Sequence, residues 1–194
     1  MTATVPRLCI GRLTSLLLIT LLISSALQTV RAEPSFAVRY VQIERVNDVY
    51  YLNAELQYQL GEPLLEALHN GVKLGFEVQI EILRERRWRW DRSEAEISQR
   101  YRLEFHALSQ LYVLTHMNTG VQRAFYRLGS ALQAMGDIKA LPLLDSGLID
   151  DREPHYLRMR SLLRVDELPL PLRVRGYVAR EWRPGSDWYR WPLP

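Results

Sequence analysis

Tyr50-Tyr51-Leu52-Asn53-Ala54-Glu55-Leu56-Gln57-Tyr58-Gln59-Leu60 is the stretch whose reading decides the fold. Its even positions are all apolar or aromatic, and from Asn53 onward its odd positions are polar. Successive strand side chains point to opposite faces, so a period of two means a strand with one buried and one wet face. Upstream, Val38 to Val46 reads as a second strand, joined to the first by Asn47-Asp48. Asn and Asp tolerate the left-handed backbone that a two-residue hairpin turn requires.

Downstream, Val72, Leu74, Phe76, Val78, Ile80 and Ile82 alternate with Lys73, Gly75, Glu77, Gln79 and Glu81, which predicts another strand. Between the two lies a short helix over Glu62 to Asn70. Pro63 suits its first turn, Gly71 suits the residue past its end, and Leu64, Leu65 and Leu68 form its apolar side. Ile97 to Ala107 and Leu108 to Met117 read as further strands, with Asn118-Thr119-Gly120 as a turn. Gln122 to Met135 reads as a second helix stopped by Gly136. Tyr156 to Val165 and Leu172 to Trp182 read as late strands separated by Pro169 and Pro171. Strands with one apolar face each must bury it against something. The expected fold is therefore mainly β, an antiparallel two-sheet β-sandwich with two short helices at its ends.

The N-terminus carries a different message. Arg7 and Arg12 precede an apolar run from Leu13 to Leu27, and Val30-Arg31-Ala32 places small residues at −3 and −1 of a cleavage point. That is the pattern of a secretory signal peptide over residues 1–32, leaving residues 33–194 as a single domain outside the cytoplasmic membrane. The run has 15 residues interrupted by Ser and Thr, against about 20 for a spanning helix, so cleavage is favoured over a retained anchor. No later segment reads as a membrane span.

The leader also distorts the composition. The whole chain has 25 Lys and Arg against 22 Asp and Glu. Arg7, Arg12 and Arg31 are all in the leader, so bases and acids balance in the remainder. Net charge then gives no argument for nucleic-acid binding. The single Cys, Cys9, is also in the leader, which leaves no disulfide, thiolate metal site or Cys nucleophile in residues 33–194.

The first candidate surface is Arg84, Arg86, Arg87, Trp88, Arg89 and Trp90, where guanidinium groups and indoles alternate and could bind an anion or stack on a ring. Arginine stems covering tryptophans at a strand end give the same pattern. A secondary aromatic cluster comprises Trp182, Trp188 and Trp191 with Tyr189, suited to a binding surface or to the closing of a sandwich. His69, His106, His116 and His155 lack ligand spacing, although His106 and His116 would approach one another if their strands paired in that register. Asp145, Asp150, Asp151 and Glu153 form an acidic loop unlike a calcium loop. There is no Gly-x-Ser-x-Gly elbow and no Gly-rich phosphate loop. No catalytic residue, cofactor or metal is therefore expected from motifs.

Several short motifs occur in order along the chain. They are Glu66-Ala67-Leu68 with Gly71-Val72, Arg87-Trp88-Arg89-Trp90-Asp91, Tyr101-Arg102-Leu103, Ala107-Leu108-Ser109 with Tyr112, and Phe125, Leu128 and Ala131-Leu132. Arg158-x-Arg160, Leu168-Pro169-x-Pro171-Leu172, and Trp182 with Ser186-x-Trp188 follow. Together they resemble a family of exported Gram-negative proteins, a domain of unknown function sometimes labelled "proline-rich signal peptide" proteins. The resemblance implies export, no assigned activity, and genes often beside a membrane sensor kinase of the nitrogen-regulation type, hence a partner in the envelope. Arg89 departs from the family pattern, which has an aromatic between the two tryptophans. The expectation is a periplasmic binding or accessory domain. An envelope hydrolase assembled only in the fold and a structural subunit without ligand are the alternatives. The oligomeric state is open.

Overall fold

The computed structural model describes residues 35–86, 91–150 and 152–194. Glu33–Pro194 forms one compact unit. Among the described residues, two antiparallel sheets, three α-helices and three short 3₁₀ turns make up the regular structure.

The opening hairpin forms as expected. Strand β1 (Ser35–Val46) pairs with β2 (Val49–Gln59) from Phe36↔Tyr58 to Val46↔Val49. Asn47 and Asp48 both take positive φ, at 48° and 62°, as a two-residue turn matched to strand twist demands. Tyr50, Leu52, Ala54, Leu56, Tyr58 and Leu60 are all buried. Helix α1 (Glu62–His69) follows, with proline in its first turn, and Gly71 at φ 83° ends it while Val72 N–H donates to Ala67 O. Strands β3 (Leu74–Arg84), β4 (Arg92–His106), β5 (Leu111–His116) and β6 (Gln122–Phe125) then form a continuous antiparallel run.

Helix α2 (Leu128–Gly136) leads into β7 (Asp137–Asp145), which returns to β2. Strand β8 (His155–Leu163) pairs with β3. Helix α3 (Leu170–Val178) and β9 (Tyr189–Pro192) follow, with β9 on the outer side of β8. One sheet is ordered β1-β2-β7 and the other β6-β5-β4-β3-β8-β9.

The sheets face each other over an apolar core. Phe36 and Tyr58 from one sheet meet Phe76 from the other, with ring centroids 4.9 to 5.9 Å apart. Three strands cannot cover six, so α1 packs on β4 and α2 on β2 and β5, with Leu64, Leu68, Ala131 and Met135 buried. At that end His69 meets the Phe105 ring edge-on and hydrogen-bonds through Nε2 to Tyr112 Oη at 2.8 Å.

Three expectations change in detail. Leu172 to Trp182 is not a strand: it is α3 followed by a 3₁₀ turn over Arg180–Trp182. Pro169 and Pro171 start this helix, because their fixed φ suits a first turn whose N–H groups have no helical partner. The segment expected as one helix over Gln122 to Met135 divides into β6 and α2, with Phe125 in the sheet, where it pairs with Tyr112. Strand β7 was hidden because register shifts and Ala140 at φ 47° interrupt its alternation. Its Pro142 is acceptable because β7 is an edge strand.

Candidate functional site

The outer face of the six-stranded sheet is built of register-matched polar rows. Ser98, Gln79 and Arg160 lie side by side across β4, β3 and β8. Glu96, Glu81, Arg158 and Arg190 form the next row, and Tyr156 sits beside Leu83. Neighbours directly opposite on one face are close enough to interact. Arg158 donates through Nε and Nη2 to Glu81 Oε2 at 3.0 and 2.7 Å. Arg160 Nε donates to Gln79 Oε1 at 2.8 Å. Glu77 anchors the middle of the sheet: its carboxylate accepts from Ser98 Oγ at 2.7 Å and Arg164 Nη1 at 3.1 Å. Burial disfavours the charge on Glu77, yet the hydrogen bonds from Ser98 and Gln79 and the nearby Arg164 and Arg100 outweigh it and hold the carboxyl below its usual range.

The indole of Trp188, just before β9, lies beneath two guanidinium groups. Arg158 Cζ is 4.5 Å and Arg160 Cζ 4.4 Å from its ring centroid. Arg190 Cζ is 3.5 Å from the centroid of Tyr156. Such stacking is worth about 0.5–1 kcal/mol at an exposed site and more once water is excluded. Among the described residues Arg160 has no carboxylate partner; its hydrogen bond goes to a neutral amide.

The expected site residues separate. Arg87, Trp88, Arg89 and Trp90 lie outside the described residues. Arg84 is held by acids, with Nη1 2.7 Å from Glu153 Oε2 and Nε 3.1 Å from Glu94 Oε1, so its charge is engaged internally. The backbone N–H of Arg86 donates to Asp91 Oδ1 at 3.0 Å. Asp91 Oδ2 in turn accepts from Tyr156 Oη at 2.6 Å, and Glu85 meets Arg190 at 3.2 Å. The hydrogen bonds from Tyr156 and from the Arg86 N–H hold Asp91 below the usual carboxylate range. The two described ends of the Arg/Trp stretch are thereby fastened to β8 and β9.

The tryptophans do not form one cluster. Trp182 is buried in the core. Trp188 belongs to the arginine rows. Trp191 stacks on Tyr189 at 6.3 Å, and both border a cavity of about 370 Å³ against Arg39, Tyr40, Val41, Gln42 and Ile43 of β1. The residues not singled out from spacing alone, Tyr156, Arg158, Arg160 and Arg190, occupy β8 and β9. Their only signal was an arginine pair at period two, whose meaning depends on Trp188 being the neighbour across the sheet.

His106 and His116 do not approach in register. His106 pairs with Leu111 and His116 with Tyr101, at opposite ends of the β4–β5 ladder. His116 instead meets Thr119 Oγ1 at 2.7 Å and Gln99 Oε1 at 2.8 Å, and burial lowers its pKa. Among the described residues no group of three or more His, Cys, Asp or Glu side chains could hold a metal ion. In the acidic loop, Asp145 accepts from Gly147 N and Asp150 from Arg152 N, both local turns.

A family model for a domain of unknown function, DUF4390, matches residues 33–192. The chain belongs to the DUF4390 family. No curated protein and no solved structure matches it. The DUF4390 domain therefore offers its own geometry as the ground for a functional reading: an Arg–aromatic face with Trp188 at its edge. Among the described residues of the DUF4390 domain, no helix is long and apolar enough to cross a membrane.

Proposed function

We propose that this DUF4390 protein is an exported, soluble periplasmic binding domain. Its Arg–aromatic face, formed by Tyr156, Arg158, Arg160, Trp188 and Arg190, engages an acidic surface of an envelope protein. The observation that carries this reading is Arg160: its guanidinium is stacked on Trp188, hydrogen-bonded to Gln79, and without a carboxylate partner among the described residues. A planar cation held in place by an indole is pre-oriented for a carboxylate or phosphate, so little freedom is lost on binding.

Export is supported by the leader pattern and by the start of the family match at Glu33, the first residue after the expected cleavage point. A sensor kinase of the envelope is the partner that the family resemblance suggests.

The test is site-specific photocrosslinking in the native envelope, with the crosslinker at the exposed Asp187 beside Trp188 and, as control, at Gln57 on the other sheet. A partner captured from position 187 alone is expected. Arg160→Glu with Arg190→Glu should reduce that capture about tenfold, the loss of roughly one charge-assisted contact, while the thermal midpoint stays near the wild-type value. Equal capture by the double variant sinks the assignment.

A further inference from the structure

Helix α3 is amphipathic in the reverse sense. Leu170, Val174, Tyr177 and Val178 are 71%, 64%, 61% and 84% exposed. They stand at i, i+4, i+7 and i+8, which places them on one stripe of a helix. The opposite side seats α3 on the domain. Gly176 is buried so closely that a Cβ there would overlap Val165 Cγ1, and Leu172 packs against the core. The domain thus fixes this helix with its apolar stripe directed to solvent. An unpartnered apolar stripe of this order on a folded domain marks a surface for something else.

Charge identifies the occupant. At 100° per residue, the exposed Arg175 falls on one flank of the stripe and the half-buried Arg173 on the other, its Nε and Nη2 donating to Leu168 O at 3.3 and 3.1 Å. Arg180 and Arg183 follow it, and both are exposed. From Leu168 to Ser186 there are four arginines against one acid, Glu181. This local excess, bounded by Asp166 and Glu167 on one side and Asp187 on the other, lies in a domain whose charges balance only overall. An apolar stripe beside exposed arginines suits a helix lying in a bilayer interface: the stripe enters the acyl boundary and the guanidinium groups of Arg175, Arg180 and Arg183 meet lipid phosphates. We infer that α3 docks this domain on the surface of an anionic lipid bilayer. This contact lies on a different element from Arg160 and Trp188, so it stands or falls independently of the partner site.

The test is amide hydrogen exchange of the full chain, with and without vesicles. One set is phosphatidylcholine and the other an equal mixture of phosphatidylcholine and phosphatidylglycerol. The apolar run Leu13 to Leu27 can itself enter a bilayer, so the deciding signal is local exchange within residues 170–178, read alongside vesicle flotation. The anionic vesicles should slow exchange there about tenfold or more, and pure phosphatidylcholine should have little effect, the difference being the arginine contribution. Val174→Glu with Val178→Glu, both exposed positions, should abolish that protection without lowering the thermal midpoint. Arg175→Glu with Arg180→Glu should weaken it. Unchanged exchange in α3 on vesicles that carry the protein, equal protection of the Val174→Glu/Val178→Glu variant, or absence of flotation overturns the inference. So does protection of α3 by a protein partner but not by lipid.

Discussion

Glu77 is the charged residue on which the outer face of the large sheet is assembled. It is 8% exposed, on the central strand β3, and is bonded to Ser98, Gln79 and Arg164. Through Gln79 it also steadies Arg160, so Glu77 and the Arg–aromatic face share one hydrogen-bonded chain. Glu77→Gln keeps the shape and removes the charge. It should destabilise by about 1–3 kcal/mol at neutral pH, read as a lower urea midpoint, because Arg164 loses a charged acceptor. The sign with pH follows from the lowered carboxyl. The folded state favours the ionised form, so the contribution is fully present above the unfolded value of about 4.3 and is lost as pH falls through the lower folded value. Wild type and Glu77→Gln should therefore converge in stability in acid. A gap that widens there would contradict this account.

Among the elements, α3 shows how one missing side chain sets a position. Alanine is the better helix former by about 1 kcal/mol, so propensity alone favours Gly176→Ala. Packing opposes it, because the new Cβ would meet Val165, a stiff β-branched side chain that is itself buried. Gly176→Ala should destabilise by about 1–3 kcal/mol in denaturant melts, and in Val165→Ala the same change should cost little. That coupling is measurable as a double-mutant cycle. Gly136 at the end of α2 makes a useful contrast. A Cβ there would overlap the backbone carbonyl of Leu56, which no side-chain substitution can remove.

For the molecule as a whole, a buried hydrogen bond crosses the largely apolar joint between the two sheets. Ser161 on β8 donates through Oγ to Tyr58 Oη on β2 at 3.0 Å, with Ser161 fully buried. Burial, only partly offset by the Ser161 bond, pushes the Tyr58 hydroxyl well above its ordinary pKa, so it stays neutral. Tyr58→Phe and Ser161→Ala should each cost about 1–3 kcal/mol, since each strands a buried partner. The double variant should lose clearly less than their sum, by equilibrium unfolding. Strict additivity would mean that the bond does not join the sheets energetically. Around this bond the wide sheet needs α1 and α2 to cover what three strands leave open.

The sequence by itself determined the elements whose signal is local. Alternation in Tyr50 to Leu60 and Leu74 to Ile82 specified which faces are buried, because a strand's two faces follow directly from residue parity. Asn47-Asp48 specified a tight hairpin and Gly71 a helix stop, because few residues accept positive φ. The alternating Arg–Trp content of Arg84 to Trp90 is visible in the sequence, but not that Arg84 is neutralised by Glu94 and Glu153. What only the tertiary structure decided depends on pairing between distant segments. Trp188 becomes a platform for Arg158 and Arg160 because β9 lies beside β8, a register written nowhere in either strand. The stripe on α3 reads as a strand in sequence, and its outward direction is set by the fit of Gly176 against Val165. Local periodicity states which residues share a face; only packing states what that face meets.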